Sequence, residues 1–136
     1  MNWRSGKANE LLLDTHALIW FLEGSKSLGR DASRAIETQG NDVFVSAVSA
    51  IEVTNKFRMG KLNQAELLAG DFEATIVAYG FAPLSITVAH AALAGRLDIP
   101  HRDPFDRLLI AQAQTEQLAF VSNEKAFDAF GVTGLW

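Results

Sequence analysis

The chain has 136 residues, of which 49% are hydrophobic and 21% charged, and its formal net charge is −4. These values are typical of one folded domain and argue mildly against a broad basic face for nucleic acid. The absence of cysteine excludes disulfide bonds and thiolate metal sites, which is consistent with a reducing cytoplasm.

The N-terminal residues are polar and predict no signal peptide. We expect a flexible leader over residues 1–9 and a single domain over residues 10–136. Residues 76–95 contain no Asp, Glu, Lys or Arg, but Gly80 and Pro83 interrupt them. We therefore interpret this stretch as buried core and predict no membrane-spanning segment.

Strands and helices alternate in the first half of the predicted domain. Residues 10–14 (ELLLD) form a short apolar run that predicts a buried strand, followed by helices over 15–24 and 29–40. Residues 42–46 (DVFVS) are β-branched and aromatic and predict the second strand. A helix with one apolar side is predicted over 47–62.

The second half continues the same alternation. Its predicted helices and strands, in chain order, are a helix over 63–80 ended by Gly80, a strand over 81–86, a helix over 87–97, a helix over 104–117, a strand over 119–122, a helix over 123–131 and an edge strand over 132–136. This order predicts an α/β three-layer sandwich in which helices flank a central, mainly parallel sheet of four to five strands.

Acidic residues follow the predicted strands. Asp14 comes directly after the first strand, Glu52 lies in the first turns of the helix after the second, and Glu124 follows the fourth. The carboxyl ends of parallel strands meet at one edge of a sheet, where open α/β folds build their sites. We therefore expect these three acids to lie at the same edge.

Two more acids begin a helix in the segment HRDPFDRLLIAQA, residues 101–113. Asp103 is the predicted N-cap, and Pro104 the first helical residue. The helix has about 14 residues at ~1.5 Å each, so it crosses the sheet layer before the strand over 119–122. Its start, with Asp103 and Asp106, therefore returns to the edge that carries the other acids.

Each acid also has a purely structural interpretation. Asp14 is able to cap the helix that follows it, Ser49 and Glu52 have the spacing of a capping box, and Glu52 has the spacing of an ion pair with Lys56. Capping does not explain why acids accumulate at one edge. Clustered carboxylates repel one another unless a cation joins them, so the joint pattern favours a metal site.

The predicted ligands are all oxygen atoms, which favours Mg²⁺ or Mn²⁺ over zinc. We interpret the three histidines, His16, His90 and His101, as structural because they are scattered along the chain. The chain contains neither a phosphate-binding P-loop nor a nucleophile elbow. A phosphatase or phosphotransferase that forms an aspartyl phosphate fits less well, because His16 stands where its motif has a second Asp.

Four blocks of sequence resemble a known family. In the order LLLDTHALIWFL, VFVSAVSAIEVTNKFRMGKL, HRDPFDRLLIAQA and FVSNEKAFDAFGV, they are similar to PIN-domain ribonucleases of the VapC type, the toxins of toxin–antitoxin pairs. The resemblance covers residues 10–136. It implies a PIN-like fold and a quartet of acids that binds Mg²⁺ or Mn²⁺ and cleaves single-stranded RNA by hydrolysis with a metal-activated water.

By matching motifs, the resemblance implies that Asp14, Glu52 and Asp106 are the catalytic acids and metal ligands. Asp103 is an additional acid of the DPFD variant and a further candidate ligand. The fourth block of the family reads Thr-x-Asp, whereas this chain has Ser122 and Glu124. Glu124 is one methylene longer than Asp, which leaves open whether it reaches the metal directly or through water.

The resemblance implies that the hydroxyls of Thr15 and Ser122 orient the acids or the scissile phosphate. It also implies RNA contacts, for which Lys56 and Arg107 are the candidates, a cognate antitoxin, a homodimer and a cytoplasmic location. The altered fourth block motivates an alternative. In that alternative the chain is a degenerate PIN-like module that binds RNA or a protein without cleaving.

Overall fold

The structure is a computed structural model, and it describes residues 9–60, 68, 70–123 and 133–136. The strands are β1 (Glu10–Leu13), β2 (Asp42–Ser46), β3 (Ala82–Leu84), β4 (Ala119–Val121) and β5 (Thr133–Leu135). They form one sheet in the order β3-β2-β1-β4-β5, and each neighbouring pair is parallel. The predicted sheet is therefore confirmed.

Helices connect the strands on both faces of the sheet. The helices whose bounds lie within the described residues are α1 (Thr15–Glu23), α2 (Arg30–Glu37), α3 (Ala47–Arg58), α4 (Phe72–Ala78), α5 (Val88–Arg96) and α6 (Pro104–Glu116). The uninterrupted helix predicted over 63–80 is wrong at Asp71, whose side chain accepts a hydrogen bond from the Ala74 N–H and begins α4. The predicted helix over 123–131 and the leader fall largely or wholly outside the described residues.

The central strand β1 explains the three layers. Leu11, Leu12 and Leu13 are fully buried, and alternate side chains of a strand point to opposite faces. Leu11 and Leu13 belong to one apolar cluster with α1 and α2, whereas Leu12 belongs to a second cluster with Leu109 of α6. A parallel sheet buried on both faces gives a continuous apolar run such as LLL.

The uncharged stretch over 76–95 spans the end of α4, strand β3 and most of α5. Ile76 is buried, but Val77 is 53% exposed and Val88 is 88% exposed, so the prediction that this stretch is buried core is only partly correct. Within the described part of the chain, no helix is both long enough and apolar enough to cross a bilayer.

Candidate active site

Asp14 lies at the carboxyl edge of the sheet, between the central strands. It follows β1 and caps α1, because its Oδ1 atom accepts a hydrogen bond of 2.7 Å from the Ala17 N–H. Its own N–H donates to the carbonyl of Val121 at the end of β4, 3.1 Å away. The residue is only 8% exposed, so its carboxyl group is largely shielded from solvent.

Burial is the main reason why the pKa of Asp14 is raised above its ordinary value. Hydrogen bonds from the Ala17 N–H and the Ser122 hydroxyl and the nearby His16 oppose this rise, whereas the charge of Asp106 adds to it. Ser122 is itself buried directly after β4, and its N–H donates to the Leu135 carbonyl. The sheet therefore fixes Ser122 beside Asp14.

Glu52 is connected to α1 through two hydroxyl groups. The Thr15 hydroxyl donates to the Oε1 atom of Glu52 at 2.5 Å, and it lies 2.9 Å from the Ser49 hydroxyl. A hydroxyl has one hydrogen, so Ser49 donates to Thr15. The predicted capping box at Ser49 is wrong, because Ser46 caps α3 by accepting from the Val48 N–H.

The pKa of Glu52 is also raised, first by burial and then by the charges of Asp106 and Asp103. The Thr15 hydroxyl and the charge of Lys56 act in the opposite direction. Lys56 is half-buried and lies one turn beyond Glu52 on α3. Glu52 and Asp106 therefore influence one another although they belong to different helices.

The start of α6 matches the sequence prediction. Asp103 caps the helix by accepting from the Phe105 N–H at 2.9 Å and the Asp106 N–H at 3.5 Å, and Pro104 is the first helical residue. The side chain of Asp106 has a different partner. Its Oδ2 atom lies 2.7 Å from the Nε2 atom of His101.

Sequence reasoning missed His101 as a site residue. Its imidazole contacts Asp106, whereas His90 is a buried residue of α5 and His16 packs against Trp20. The contact between His101 and Asp106 depends on the path of the chain between α5 and α6, which no periodic pattern in the sequence predicts.

Arg107 has a different role from the one expected. Its Nε atom donates to the Ala94 carbonyl, and its two terminal nitrogens donate to four further carbonyls at 2.6–3.5 Å, those of Gly95, Leu97, Ile99 and His101. A guanidinium has five N–H donors, and five carbonyls accept them. Backbone carbonyls therefore occupy all five donors of Arg107, which leaves none for an RNA phosphate.

The donor set suits a hard divalent cation. Asp14, Glu52, Asp103 and Asp106 offer carboxylate oxygens, and the charge of Asp106 raises the pKa of both Asp14 and Glu52. A cation would relieve this repulsion. In the ranges that the structure describes, which exclude Glu124, no three acidic or histidine side chains already lie close enough to hold one ion.

Comparison with known proteins identifies the family. The profile of the PIN domain matches residues 11–132, and no curated protein matches the chain. The fold resembles a chain of VapBC2 from Rickettsia felis, solved bound to a fragment of promoter DNA, with a TM-score of 0.68 at 12% identity. That match covers 93% of this chain and 97% of the other.

Two further structures have the same fold. A chain of a toxin–antitoxin complex from Klebsiella pneumoniae gives a TM-score of 0.63 at 18% identity, covering 93% of this chain and 96% of the other. A chain of DNA-bound VapBC from Salmonella typhimurium gives 0.63 at 15% identity, covering 93% and 97%. At these identities the likeness concerns the fold. The family profile spans most of the sequence, and the chain therefore belongs to the PIN domain family.

Proposed function

We propose that this chain is a metal-dependent endoribonuclease and the toxin of a toxin–antitoxin pair. The observation that carries the proposal is the position of Asp106 at the start of α6, where its charge acts on both Asp14, which follows β1, and Glu52 on α3. Membership of the PIN domain family supports it, as does the fold shared with chains of VapBC complexes.

Asp14, Glu52 and Asp106 would hold Mg²⁺ or Mn²⁺, with Asp103 and Glu124 as additional acids. When bound, such an ion lowers the pKa of a coordinated water and stabilises the departing oxygen of a phosphodiester. Burial raises the pKa of Asp14 and Glu52, so in the absence of a cation each acid keeps its proton to a higher pH than an exposed carboxyl does. A cation binds the ionised carboxylates, so its affinity should increase as the pH rises.

Two hydroxyl groups donate hydrogen bonds to the acids that would bind the metal. The Thr15 hydroxyl donates to Glu52, and the Ser122 hydroxyl donates to Asp14. Both bonds favour the ionised form of the carboxylate, and both restrict its rotation. The Ser49 hydroxyl donates to the Thr15 hydroxyl over 2.9 Å and so orients it toward Glu52. We assign Thr15 and Ser122 as positioning residues on this basis.

The substrate in this proposal is single-stranded or structured RNA, and Lys56 is the basic residue that would meet its phosphates. Lys56 is half-buried on α3 and close enough to Glu52 to lower the pKa of that acid. Replacing Lys56 with Met should weaken RNA binding and reduce its dependence on salt, because one phosphate contact is lost. Arg30→Met on α2 serves as a control of the same charge change.

The toxin assignment adds a cognate antitoxin, a homodimer and a cytoplasmic location to the proposal. The structural relatives support an antitoxin partner, since their complexes contain VapB or another antitoxin together with the toxin. Co-expression with the product of a small adjacent reading frame would test this part. Suppression of cleavage by that product supports it, and cleavage that the product leaves unchanged opposes it.

The decisive experiment incubates the purified chain with mixed RNA with and without Mg²⁺, beside the Asp14→Asn variant. Asn is as good an N-cap as Asp, so the variant keeps the start of α1 but lacks the charge. We expect cleavage only by the unmodified chain and only with the metal. Cleavage that persists in EDTA, or in the folded variant, would overturn the proposal.

The second candidate is a module that binds RNA or a protein without cleaving it. Two observations favour it: the fourth block reads Ser122-Asn123-Glu124, and the described acids do not form a ready group of three around one point. Tight RNA binding that is independent of metal, without turnover, would select this candidate over the nuclease.

A further inference from the structure

The backbone of the segment between α5 and α6 binds the side chain of Arg107, while Leu97 and Ile99 of the same segment pack against the second apolar cluster. Arg107, in the first turns of α6, binds the Ala94 and Gly95 carbonyls at the end of α5 and the Leu97, Ile99 and His101 carbonyls beyond it. A positive charge is favourable there, because the carbonyls at the end of a helix lack helical partners. The path of residues 97–101 is thus tied to α6.

His101 stands at the end of this tied segment. Its carbonyl accepts a 2.8 Å hydrogen bond from the Nη1 atom of Arg107, and its Nε2 atom lies 2.7 Å from the Oδ2 atom of Asp106. The backbone of His101 is therefore fixed on one side and its imidazole contacts an acid of the site on the other. Arg107 and Asp106 are adjacent in sequence, and His101 links their side chains.

We propose that Arg107 and His101 position the Asp106 carboxylate, with Arg107 holding the backbone of His101 and His101 holding Oδ2 through its imidazole. This proposal rests on the proposed function in one respect, namely that Asp106 binds the metal. It assigns His101 and Arg107 as positioning residues and not as metal ligands.

Helix capping does not account for the arrangement. Asp103 already accepts the N–H groups of Phe105 and Asp106, so α6 has its cap without the Asp106 side chain. The contact with His101 instead restricts the rotation of the Asp106 carboxylate. A ligand that is oriented beforehand loses less conformational entropy when it binds.

The choice of arginine also follows from the geometry. Five carbonyls surround the side chain, and a guanidinium supplies five N–H donors in a fixed plane, whereas an ammonium supplies three. Lysine at this position would therefore leave part of the segment without a donor. We expect the weaker attachment of the segment to displace His101 and thereby to free the Asp106 carboxylate to rotate.

The test measures the affinity of the folded protein for Mn²⁺, by electron paramagnetic resonance of the free ion. His101→Phe and Arg107→Met should each raise the Kd about tenfold or more, the effect usual for partners of metal ligands. His101→Gln keeps an N–H donor and should lose less. Arg96→Met, an exposed arginine at the end of α5, is the matched control and should leave the Kd unchanged.

A variant that carries both His101→Phe and Arg107→Met shows whether Arg107 acts on Asp106 through His101 or independently of it. If Arg107 acts through His101, the Kd of His101→Phe with Arg107→Met equals that of the weaker-binding single variant. Multiplied effects would contradict the proposed order of contacts. An unchanged Kd in folded His101→Phe would overturn the positioning role, even if its melting temperature falls.

Arg107→Met is at risk of not folding, because it leaves five carbonyls without their donor. Arg107→Lys then takes its place, and amide hydrogen exchange over residues 97–103 is measured without metal. Faster exchange confined to this segment is expected, and unchanged exchange would overturn the role of Arg107. If the unmodified chain binds no Mn²⁺, the proposed metal site fails, whereas the exchange result still decides whether Arg107 holds the segment.

Discussion

The hydroxyl of Thr15 and the Oε1 atom of Glu52 lie 2.5 Å apart, and their hydrogen bond joins the first turn of α1 to α3. Thr15 is buried directly after Asp14, so its backbone is fixed by the same strand that fixes that acid. The bond therefore holds the half-buried Glu52 side chain of α3 at a set position relative to Asp14, the N-cap of α1.

Replacing Thr15 with Val removes this donor while it keeps the shape of the side chain. A hydrogen bond to a charged group contributes about 1.5–3 kcal/mol, so we expect kcat/KM for RNA cleavage to fall at least about tenfold. The pKa of Glu52 should rise further, which moves the pH dependence of cleavage upward. Thr15→Ser keeps the hydroxyl and is the control, and equal activity of the Val variant would contradict this role.

The raised pKa of Asp14 predicts how stability depends on pH in the absence of metal. Below its ordinary pKa of 3.8, Asp14 is neutral in both the folded and the unfolded chain, so the unmodified protein and Asp14→Asn should differ little. Between 3.8 and the raised pKa, the unfolded chain ionises Asp14 while the folded chain keeps the proton, so the unmodified protein loses stability relative to the variant as the pH rises, and the loss is complete above the raised pKa. Urea unfolding in EDTA at a series of pH values measures this difference, and a constant difference would contradict it.

A divalent cation should stabilise the folded chain. A ligand present at one hundred times its Kd contributes about 2.7 kcal/mol, which for a chain of this size corresponds to a rise in melting temperature of about 10 °C. We expect this rise with Mg²⁺ or Mn²⁺ but not with KCl at equal ionic strength. Asp106→Asn should abolish most of it, and an undiminished rise in that variant would exclude Asp106 as a ligand.

Gly29 should not tolerate a larger residue. A Cβ atom there would lie 2.7 Å from both the backbone carbonyl carbon and the Cδ1 atom of Trp136. Gly29→Ala should therefore lower the free energy of unfolding by about 1–3 kcal/mol, as overpacking usually does. Gly95→Ala is the matched control in urea unfolding: its Cβ meets open space in α5, so it should be neutral or stabilising.

The sheet and the helix caps at Asp14 and Asp103 could be predicted because local patterns determine them. The β-branched run over 42–46 gives β2 at its exact bounds, and the LLL run gives the buried centre of the sheet. Asp103 and Pro104 likewise predict the start of α6, since capping involves only neighbouring residues. Parallel strands then bring Asp14 and the start of α6 to one edge.

The remaining features depend on contacts between distant segments. Ser46 and Ser49 are both followed by helix-forming residues, and only the structure distinguishes the cap from the partner of Thr15. Arg107 is a candidate RNA contact from the sequence because it is a basic residue near the edge of the sheet that carries the acids. The destination of its guanidinium depends on where α5 ends, which the residues around Arg107 do not specify.

The central position of β1 has a consequence for synthesis of the chain. Asp14 donates its N–H to Val121, and Ser122 supports its carboxylate, so the first acid of the site is completed by residues near the other end of the sequence. A ribosome that has made only the first half of the chain carries β1 without its neighbour β4. Under the proposed function, a nascent or prematurely terminated chain would therefore lack a completed site, and cleavage would require that almost the whole chain has left the ribosome.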